Sequence, residues 1–530
     1  MMVAVAGISN AALLAVVNEA ADHIKDGQPQ LSMIALFLLF LLGYLFSQRY
    51  VLLTTSAEIE RLVHRYRERL INRLRMCELQ EVEHIGHGRI FSAINSDTQT
   101  ISQTTSGLVL GAQAGVLIIC ACAYLATISM TALVLSALFL MVAARIYLNK
   151  MQRVNALLQQ ASLEEGQLHD LVSGLLTGFK EVKLSSRRAA AVLADVVAVS
   201  RHTAECRTGA QQALNDNFVF AQVAFLLLLG TLVFLTPMFG SAYSGSVMGA
   251  MATVIFLIGP ISSLVATVPQ VAVANAAAEN LHRLEQLLEA STREAAGGQQ
   301  PAPIPSLQTG PVLRTLEMRQ IFFSHVTGGS RFDVGPINLT IRAGETVFIT
   351  GGNGSGKSTL VKLLTGLYRP VTGELLLNGI PVVAGDTQAF RDRFCAVFSD
   401  FYLFRKLYGV DLPDGEDWRA WLREMEIDDK VAITDGAFST IDLSAGQKKR
   451  LALVGAILEN KPLVVLDEWA ADQDPQFRRK FYDILLPRLK AQGKTIVAVT
   501  HDDRFFHIAD RRLHMEDGQL HDVTEIQSNG

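Results

Sequence analysis

Hydrophobic positions are distributed unevenly along the chain, which changes character near residue 290. The first 290 residues hold long apolar runs, whereas the remainder alternates short apolar runs with polar segments. The long runs lie at about 2–18, 31–48, 107–128, 129–145, 218–238 and 247–274. A helix needs roughly 20 apolar residues to cross a bilayer. The pattern therefore predicts six membrane-spanning helices, the first of them short, followed by a soluble domain.

Basic residues are concentrated in two of the connections between these runs. The connection after the second run contains Arg61, Arg65, Arg67, Arg69, Arg73, Arg75 and Arg89. The connection after the fourth contains Lys150, Arg153, Lys180, Lys183, Arg187, Arg188, Arg201 and Arg207. Because cytoplasmic loops carry the excess of Lys and Arg, both connections are predicted to be cytoplasmic. Six spans then place both termini, and the soluble domain, in the cytoplasm.

The two basic loops are long enough to form helices of their own. The stretch AEIERLVHRYRERLINRLR in the first loop has apolar residues at helical spacing with charges between them. We therefore expect the membrane helices to extend well beyond the bilayer. Glycines mark a turn near each loop tip, at 86–89 (GHGR) and 173–188. Both tips are predicted to contact the soluble domain.

Composition supports a division into a membrane part and a soluble part. Charged residues make up 18% of the chain, against about 25% in soluble domains. Residues 289–311, rich in Ala, Gly, Gln and Pro, predict a flexible linker between a membrane domain at 1–288 and a soluble domain at 312–530. The net charge of −4 gives no indication of a nucleic-acid partner.

The stretch ETVFITGGNGSGKSTLVKLLTG carries the P-loop pattern between a predicted strand and a predicted helix. Backbone N–H groups of such a glycine-rich turn cradle phosphate oxygens at a helix N-terminus. Lys357 is expected to reach the β- and γ-phosphates, and the Ser358 hydroxyl to bind Mg²⁺. The predicted ATP-binding residues here are Gly351, Gly352, Asn353, Gly354, Ser355, Gly356, Lys357, Ser358 and Thr359.

A second apolar run, LVVLDEWAADQDP at 463–475, ends in two adjacent carboxylates. Asp467 at the end of a buried parallel strand is predicted to hold Mg²⁺ through its water shell. The neighbouring Glu468 is predicted to act as the general base for the attacking water. Trp469 is interpreted as a packing residue.

Two further motifs are LSAGQ at 443–447 and THDD at 500–503. The order along the chain is the P-loop, LSAGQ, LVVLDE and THDD. With the P-loop and LVVLDE they resemble the ATP-binding cassette (ABC) family over about 312–525, and more loosely in the six-span half. The resemblance implies a type IV exporter-like all-α transmembrane domain joined to an α/β P-loop NTPase cassette. It also implies that two cassettes meet head to tail, with each ATP between the P-loop of one and the LSAGQ motif of the other.

The resemblance assigns roles to residues outside the P-loop. Ser444, Gly446 and Gln447 would bind the γ-phosphate of the ATP held by the second cassette. His501 would contact the γ-phosphate and hold the catalytic geometry. Asp474 would cross to the other subunit.

The sequence departs from the family pattern at several positions. Ala445 stands for the middle glycine of the signature, and the segment between 399 and 443 is short, which predicts a small helical subdomain. Ser399 occupies the position of the usual glutamine, and the neighbouring Asp400 is predicted to bind Mg²⁺ in its place. His325 stands where an aromatic residue would stack on adenine, and imidazole can also stack.

The motifs GGNGSGKSTL, LSAGQKKR and DEWAADQDPQFRRKFY are similar to those of the cyclic-peptide export branch, which includes pyoverdine- and syringomycin-type exporters and the microcin J exporter. The similarity implies a homodimeric half-transporter in the lipid bilayer of a bacterial inner membrane. It would export a cyclic or lasso-type peptide, or a peptide siderophore or its precursor, to the periplasm, where an outer-membrane or periplasmic partner would receive it. A siderophore importer with an exporter-like fold and a non-transporting membrane ATPase are the alternatives.

Overall fold

The computed structural model describes residues 2–25, 31–235, 246–295, 312–327, 330–410, 412 and 417–524. The chain forms two compact units. One combines Met1–Asn72 with His87–Leu287, and the other combines Arg73–Gly86 with Leu288–Gly530. The short segment Arg73–Gly86, at the tip of the first predicted cytoplasmic loop, thus belongs to the same unit as the soluble half.

The unit made of Met1–Asn72 and His87–Leu287, called the membrane unit below, consists of helices joined by short turns in its described residues. Its helices are α1 (Met2–Lys25), α2 (Leu31–Met76), α4 (His87–Ser92), α5 (Thr98–Ile128), α6 (Met130–Thr177), α7 (Phe179–Lys183), α8 (Ser186–Leu235), α9 (Ser246–Phe256) and α10 (Ile258–Ala295), with a π-helical turn at Ala93–Asp97; α3 (Leu79–Ile85) belongs to the other unit. Within this described part, six helical segments are long and apolar enough to cross a membrane. The prediction of six spans is confirmed.

Several of these helices are much longer than a bilayer requires. Helices α2, α6 and α8 contain 46, 48 and 50 residues. At a rise of 1.5 Å per residue each is about 70 Å long, against about 30 Å of hydrocarbon. The predicted extension beyond the bilayer is therefore confirmed. Helix α10 also continues to Ala295, inside the predicted linker, because its last residues, EASTREA, favour helix. Linker residues 296–311 lie outside the described residues.

Close packing between helices of this unit depends on small residues. Helix α5 approaches α10 so closely that a Cβ on Gly111 would lie 2.5 Å from Thr267 Oγ1. The same hydroxyl donates to the carbonyl of Gly107 at 3.1 Å. Small residues allow such approach between membrane helices, and a hydroxyl can then bond across the interface.

The cassette unit contains two main sheets. The strands are β1 (Thr315–Thr327), β2 (Ser330–Arg342), β3 (Thr346–Gly351), β4 (Thr372–Leu377), β5 (Ile380–Pro381), β6 (Phe394–Val397), β7 (Ile433–Thr434), β8 (Ala437–Phe438), β9 (Leu463–Asp467), β10 (Thr495–Val499), β11 (Arg511–Glu516) and β12 (Gln519–Asp522). An antiparallel sheet has the order β2-β1-β4-β5, and a largely parallel sheet has the order β12-β11-β3-β10-β9-β6. Every residue of β3, β9 and β10 is buried. Their predominantly apolar sequences follow from burial on both faces.

The cassette helices are α11 (Lys357–Leu364), α12 (Thr387–Arg391), α13 (Asp417–Glu424), α14 (Ala445–Leu458), α15 (Pro475–Lys480) and α16 (Leu486–Ala491). Among the described residues between 399 and 443, α13 is an eight-residue helix. The helical subdomain is small, as predicted. Strands β3, β9 and β10 run parallel, so their carboxyl ends meet at one edge of the sheet, where α/β proteins bind ligands.

The tip of the first cytoplasmic loop is bonded to the cassette within this unit. Tyr368 Oη donates to Glu83 Oε2 at 2.6 Å, and Lys362 Nζ donates to Glu83 Oε1 at 3.1 Å. Arg391 pairs with Glu78, which is 9% exposed. The predicted contact of this tip with the soluble domain is confirmed, although residues 78–83 make these bonds, directly before the predicted turn at 86–89.

Candidate nucleotide-binding and hydrolysis site

The P-loop connects β3 to α11 with a backbone that requires glycine. Gly351 has φ of 145°, and a Cβ there would lie 2.2 Å from the carbonyl oxygen of Met515. The predicted residues Gly352, Asn353 and Gly354 are exposed on the rim of the loop. The turn therefore presents its backbone to solvent at the N-terminus of the eight-residue helix α11.

Two side chains inside this loop are suited to phosphate oxygens. Lys357 is 6% exposed, and its Nζ donates to the carbonyls of Gly351 at 3.0 Å and Gly352 at 2.8 Å. The buried Oγ of Ser355 has no hydrogen-bond partner among the described residues. A buried hydroxyl without a partner is costly unless a ligand satisfies it. This donor set fits the triphosphate of ATP, and the helix N-terminus adds its dipole.

Asp467, at the carboxyl end of β9, is 2% exposed. Its Oδ2 accepts a hydrogen bond from Ser399 Oγ at 3.1 Å, and interaction with the Ser358 side chain lowers the pKa of this carboxylate slightly. Its Oδ1 is buried without a partner among the described residues. Burial raises the pKa of Asp467, and the bonds from Ser399 offset part of that rise. A buried carboxylate with one oxygen unpaired, beside a P-loop hydroxyl, fits Mg²⁺, which prefers oxygen ligands.

The sequence offers two residues, Ser399 and Asp400, that could replace the missing glutamine. The side chain that bonds to Asp467 is that of Ser399, whereas Asp400 is exposed. The role of Asp400 as a Mg²⁺ ligand stays a prediction. Sequence alone could not decide between the two residues. They are adjacent, and only the local backbone conformation determines which side chain turns towards Asp467.

Glu468 follows Asp467 in a left-handed conformation, with φ of 49° and ψ of 35°. This conformation is uncommon for a residue other than glycine. It brings Oε1 of Glu468 to 3.4 Å from His501 Nε2 and to 3.9 Å from Lys357 Nζ. Glu468, which follows β9, therefore lies close to Lys357 after β3 and to His501 after β10. A partly exposed carboxylate in this position can accept a proton from water.

The signature residues begin helix α14. Ser444 is the N-cap, accepting from the Gln447 N–H at 3.4 Å, while Gln447 Oε1 accepts from the Ser444 N–H at 3.3 Å. This reciprocal capping fixes the first turn. Ser444 is exposed, and Gly446 fits tightly, since a Cβ there would lie 2.8 Å from the carbonyl oxygen of Asp472. The turn therefore presents an exposed, rigid helix N-terminus.

Asp474 has partners within its own cassette. Its Oδ1 accepts from the Phe477 N–H at 2.8 Å as the N-cap of α15, and its Oδ2 accepts from Arg450 at 2.7 Å. The Phe477 N–H and the Arg450 guanidinium hold the pKa of this carboxyl below its usual range. Its predicted contact with a second subunit stays a prediction.

His325 lies exposed on β1, directly opposite Phe332 on β2. Residues directly opposite in an antiparallel pair share one face of the sheet. The ring of Phe332 also borders the P-loop, since a Cβ on Gly356 would lie 3.4 Å from Phe332 Cε1. Sequence analysis missed Phe332. The paired glycines at 328–329 are a hairpin signal, and counting outward from them would have paired Phe332 with His325.

Comparisons with known proteins agree with this arrangement. A family model described as ABC transporter matches residues 334–471, and one described as ABC transporter transmembrane region matches residues 1–185. The ATP-binding protein SyrD of Pseudomonas syringae pv. syringae is 33% identical over 537 residues, covering 97% of this chain and 91% of SyrD. The chain belongs to the ABC transporter family. It is therefore an ATPase that couples ATP hydrolysis to transport.

Two further comparisons concern the fold and the direction of transport. A bacterial Atm1-family ABC exporter with ATP bound superimposes on this ABC transporter with a TM-score of 0.79 at 17% identity, covering 98% of this chain and 92% of that one. The predicted fold, six spans followed by an α/β cassette, is confirmed. The mycobactin import ATP-binding/permease protein IrtB of Mycolicibacterium thermoresistibile is 27% identical over 260 residues, 46% of this chain and 43% of IrtB.

Proposed function

We propose that this ABC transporter works as a homodimer with two composite ATP sites. The chain carries one six-span region and one cassette, and the P-loop, LSAGQ, Asp467-Glu468 and His501 all occur in it. The exposed first turn of α14 is the kind of surface that binds phosphate oxygens of a second cassette. A twofold axis would give two identical sites.

Exposed apolar residues in both units support contact between copies. At the second loop tip, Leu176, Phe179 and Leu184 are exposed. In the cassette, Tyr402 and Phe404 are exposed, with ring centroids 4.9 Å apart. Exposed apolar clusters of this kind mark interaction surfaces. In the proposed dimer, the second loop tip of one copy lies on this aromatic cluster of the other.

Disulfide formation tests the dimer contact directly. In a variant whose five native cysteines are replaced by serine or alanine, Phe179→Cys combined with Phe404→Cys should give a disulfide-linked dimer on mild oxidation. Leu193→Cys, exposed on α8, replaces Phe179→Cys in the control pair and should not cross-link. A monomer that migrates faster after oxidation would mean that the tip lies on its own cassette, which would contradict this contact.

In the proposed hydrolysis reaction, the P-loop and Lys357 bind the phosphates of ATP. Ser358 and Asp467 hold Mg²⁺, which neutralises charge on the phosphate oxygens. Glu468 accepts the proton of the attacking water, and His501, 3.4 Å from its carboxylate, holds the geometry. The Ser399 hydroxyl fixes the orientation of the Asp467 carboxylate.

The membrane unit contains two adjoining cavities between its helices. A cavity of about 190 Å³ is lined by Gln222 and Ser262 together with Phe218 and Phe225. It adjoins an almost wholly apolar cavity of about 330 Å³ between α6, α8 and α10. We propose that these two polar residues contact the cargo, in contrast to the buried Asn217, which packs against Met151. Such a lining suits a peptide with apolar side chains and a few polar groups.

The proposed cargo is a cyclic or lasso-type peptide, or a peptide siderophore or its precursor, exported from cytoplasm to periplasm across the bacterial inner membrane. The similarity to SyrD along nearly the whole of both chains is the observation that carries this proposal. An outer-membrane or periplasmic partner would receive the cargo. The similarity to IrtB favours import as the second candidate.

Direction is tested with inside-out vesicles, whose cassettes face the medium. Export requires ATP-dependent accumulation of a labelled cyclic peptide inside these vesicles, with none in vesicles that carry Glu468→Gln. ATP-dependent release of preloaded peptide from the same vesicles would instead establish import and contradict the proposed direction.

A further inference from the structure

Lys449 on helix α14 is buried beside the predicted general base. Its side chain is 7% exposed, and Nζ donates to the carbonyl oxygen of Glu468 at 2.9 Å. The same ammonium pairs with Asp472 at 2.8 Å. A buried ammonium requires such partners. The peptide that follows Glu468 is thereby attached to the helix that begins with the signature residues.

The Trp469 side chain supplies a second attachment of this peptide to α14. The indole is 1% exposed, and its Nε1 donates to the carbonyl oxygen of Lys449 at 2.8 Å. Its ring packs on Phe481 with a centroid distance of 4.3 Å. The Lys449 side chain therefore donates to the backbone beside Trp469, and the Trp469 side chain donates to the backbone of Lys449. The left-handed conformation of Glu468 directly precedes both attachments, and on its N-terminal side the Glu468 N–H donates to the carbonyl oxygen of Val499 at 3.1 Å.

Two more bonds extend the connection along the segment that follows Trp469. Gln473 Nε2 donates to the carbonyl oxygen of Gly446 at 3.1 Å, and Arg450 Nε donates to Gln473 Oε1 at 2.8 Å. Arg450 also lies over the ring of Phe477 at 3.5 Å. The first turns of α14 and residues 468–474 are therefore held together by several mutually supporting bonds, two of which, from Trp469 Nε1 and Arg450 Nε, are buried.

We propose that Lys449 and Trp469 are positioning residues for hydrolysis, which hold the Glu468 carboxylate in place by bonding its peptide to α14. An uncommon backbone conformation persists where surrounding contacts determine it, and these two side chains supply such contacts directly after Glu468. A carboxylate displaced by about 1 Å can cost a factor of about 100 in rate.

The arrangement also connects two ATP sites through one helix. This consequence rests on the proposed dimer, in which the first turn of α14 binds the ATP of the opposite site. Phosphate binding at that turn would then restrain Glu468 in the subunit's own site. The two composite sites would become cooperative because the same rigid segment contributes to both.

The experiment measures ATP hydrolysis by the full chain in lipid nanodiscs. Lys449→Met should lower kcat about tenfold or more, since misplacing a reacting group is costly. Lys449→Arg should recover most of the rate, because it keeps a cationic donor. Trp469→Phe keeps a ring in the core and loses the N–H, and should lower kcat in the same direction. Lys430→Met, on an exposed lysine outside α14, is the control and should match wild type.

A double variant separates positioning from stabilisation. If Lys449 acts through Glu468, then Lys449→Met should not lower the residual rate further once Glu468→Gln is present. ATP affinity, measured by binding of labelled ATP in the Glu468→Gln background, should also be unchanged. In the wild-type background, Lys449→Met should reduce the Hill coefficient for ATP. An additive loss in the double variant, or a lower Tm with an unchanged kcat per folded protein, would overturn the proposal.

The same variants distinguish this inference from the proposed function. Normal hydrolysis by Glu468→Gln would contradict the general-base role itself, whatever Lys449→Met does. An inactive Glu468→Gln together with a wild-type rate for Lys449→Met and Trp469→Phe would leave the general base in place and remove only the positioning role.

Discussion

The Ser399 hydroxyl donates to Oδ2 of Asp467 at 3.1 Å, where the family pattern would place a glutamine. The other oxygen of this buried carboxylate has no hydrogen-bond partner among the described residues. One oxygen is thus held in place, and we propose that the other binds Mg²⁺. The serine is too short to act as a glutamine does, and we infer that it acts by orienting the aspartate.

Ser399→Ala should therefore weaken Mg²⁺ binding. Loss of an outer-shell partner typically costs metal affinity by about tenfold or more. Binding of Mn²⁺ in the presence of ATP, followed by electron paramagnetic resonance, measures the affinity without requiring turnover. Asp400→Asn is the matched comparison, because the sequence predicts Asp400 as the ligand. A large loss for Asp400→Asn with none for Ser399→Ala would reverse the assignment.

Lys357→Ala should abolish detectable ATP binding. The buried ammonium donates to two carbonyls of the P-loop, and its removal takes away both the loop's internal bonds and the charge facing the phosphates. Equilibrium binding of a fluorescent ATP analogue is the measurement. Lys430→Ala, on an exposed lysine outside the nucleotide-binding motifs, serves as the control for loss of a lysine elsewhere in the cassette. Unchanged affinity in Lys357→Ala would contradict the P-loop assignment.

His325 and Phe332 face each other across β1 and β2 beside the P-loop, so both should contribute to binding the base. Base stacking on an aromatic ring is worth about 1–3 kcal/mol per base. Since both rings are exposed, we expect His325→Ala and Phe332→Ala each to weaken ATP binding about fivefold, at the lower end of that range. Arg331→Ala, an exposed neighbour on β2, should have no effect. Unchanged affinity in either ring variant would exclude that residue from the site.

Glu83 should transmit motion between the first loop tip and the cassette. Burial alone would raise the pKa of Glu83, but hydrogen bonds from Tyr368 and Lys362 outweigh it and lower that pKa. The stabilisation from the carboxylate is therefore present above its ordinary pKa and is lost as pH falls through the lowered value. Glu83→Gln should remove it at neutral pH, increasing amide hydrogen exchange in Leu79–Ile85.

The matched control for that variant is Glu81→Gln on the same short helix. Glu83→Gln should keep basal ATP hydrolysis while losing stimulation by the cargo, because the nucleotide site is unchanged. Unchanged hydrogen exchange in Leu79–Ile85 would mean that the pair with Lys362 and Tyr368 does not hold the tip in place.

Much of the fold follows from patterns that are local in the sequence. The six spans arise from apolar runs of sufficient length, and the strands β3 and β9 from short, predominantly apolar runs that end in Gly351 and Asp467. The motif residues lie at the same sheet edge because parallel strands end there. Each of these inferences requires only a short window of sequence.

What the sequence did not predict depends on contacts between distant residues. Trp469 was interpreted as a packing residue, and its burial agrees, but its bond to Lys449 joins residues 20 positions apart. The choice of Ser399 over Asp400 at the Asp467 carboxylate depends on which side chain turns inward. The proximity of Phe332 to Gly356 depends on strand register. No periodic pattern in the sequence indicates any of these three contacts.

We propose an ATPase cycle in which Glu468 is the general base and a peptide cargo stimulates turnover. The most direct test measures ATP hydrolysis in lipid nanodiscs for wild type and Glu468→Gln, with and without a panel of cyclic peptides and siderophore precursors. The account predicts that one class of peptide stimulates the wild type, and that Glu468→Gln binds ATP but neither hydrolyses it nor responds. Rapid hydrolysis by the wild type that is indifferent to every peptide, or normal turnover by Glu468→Gln, would contradict it.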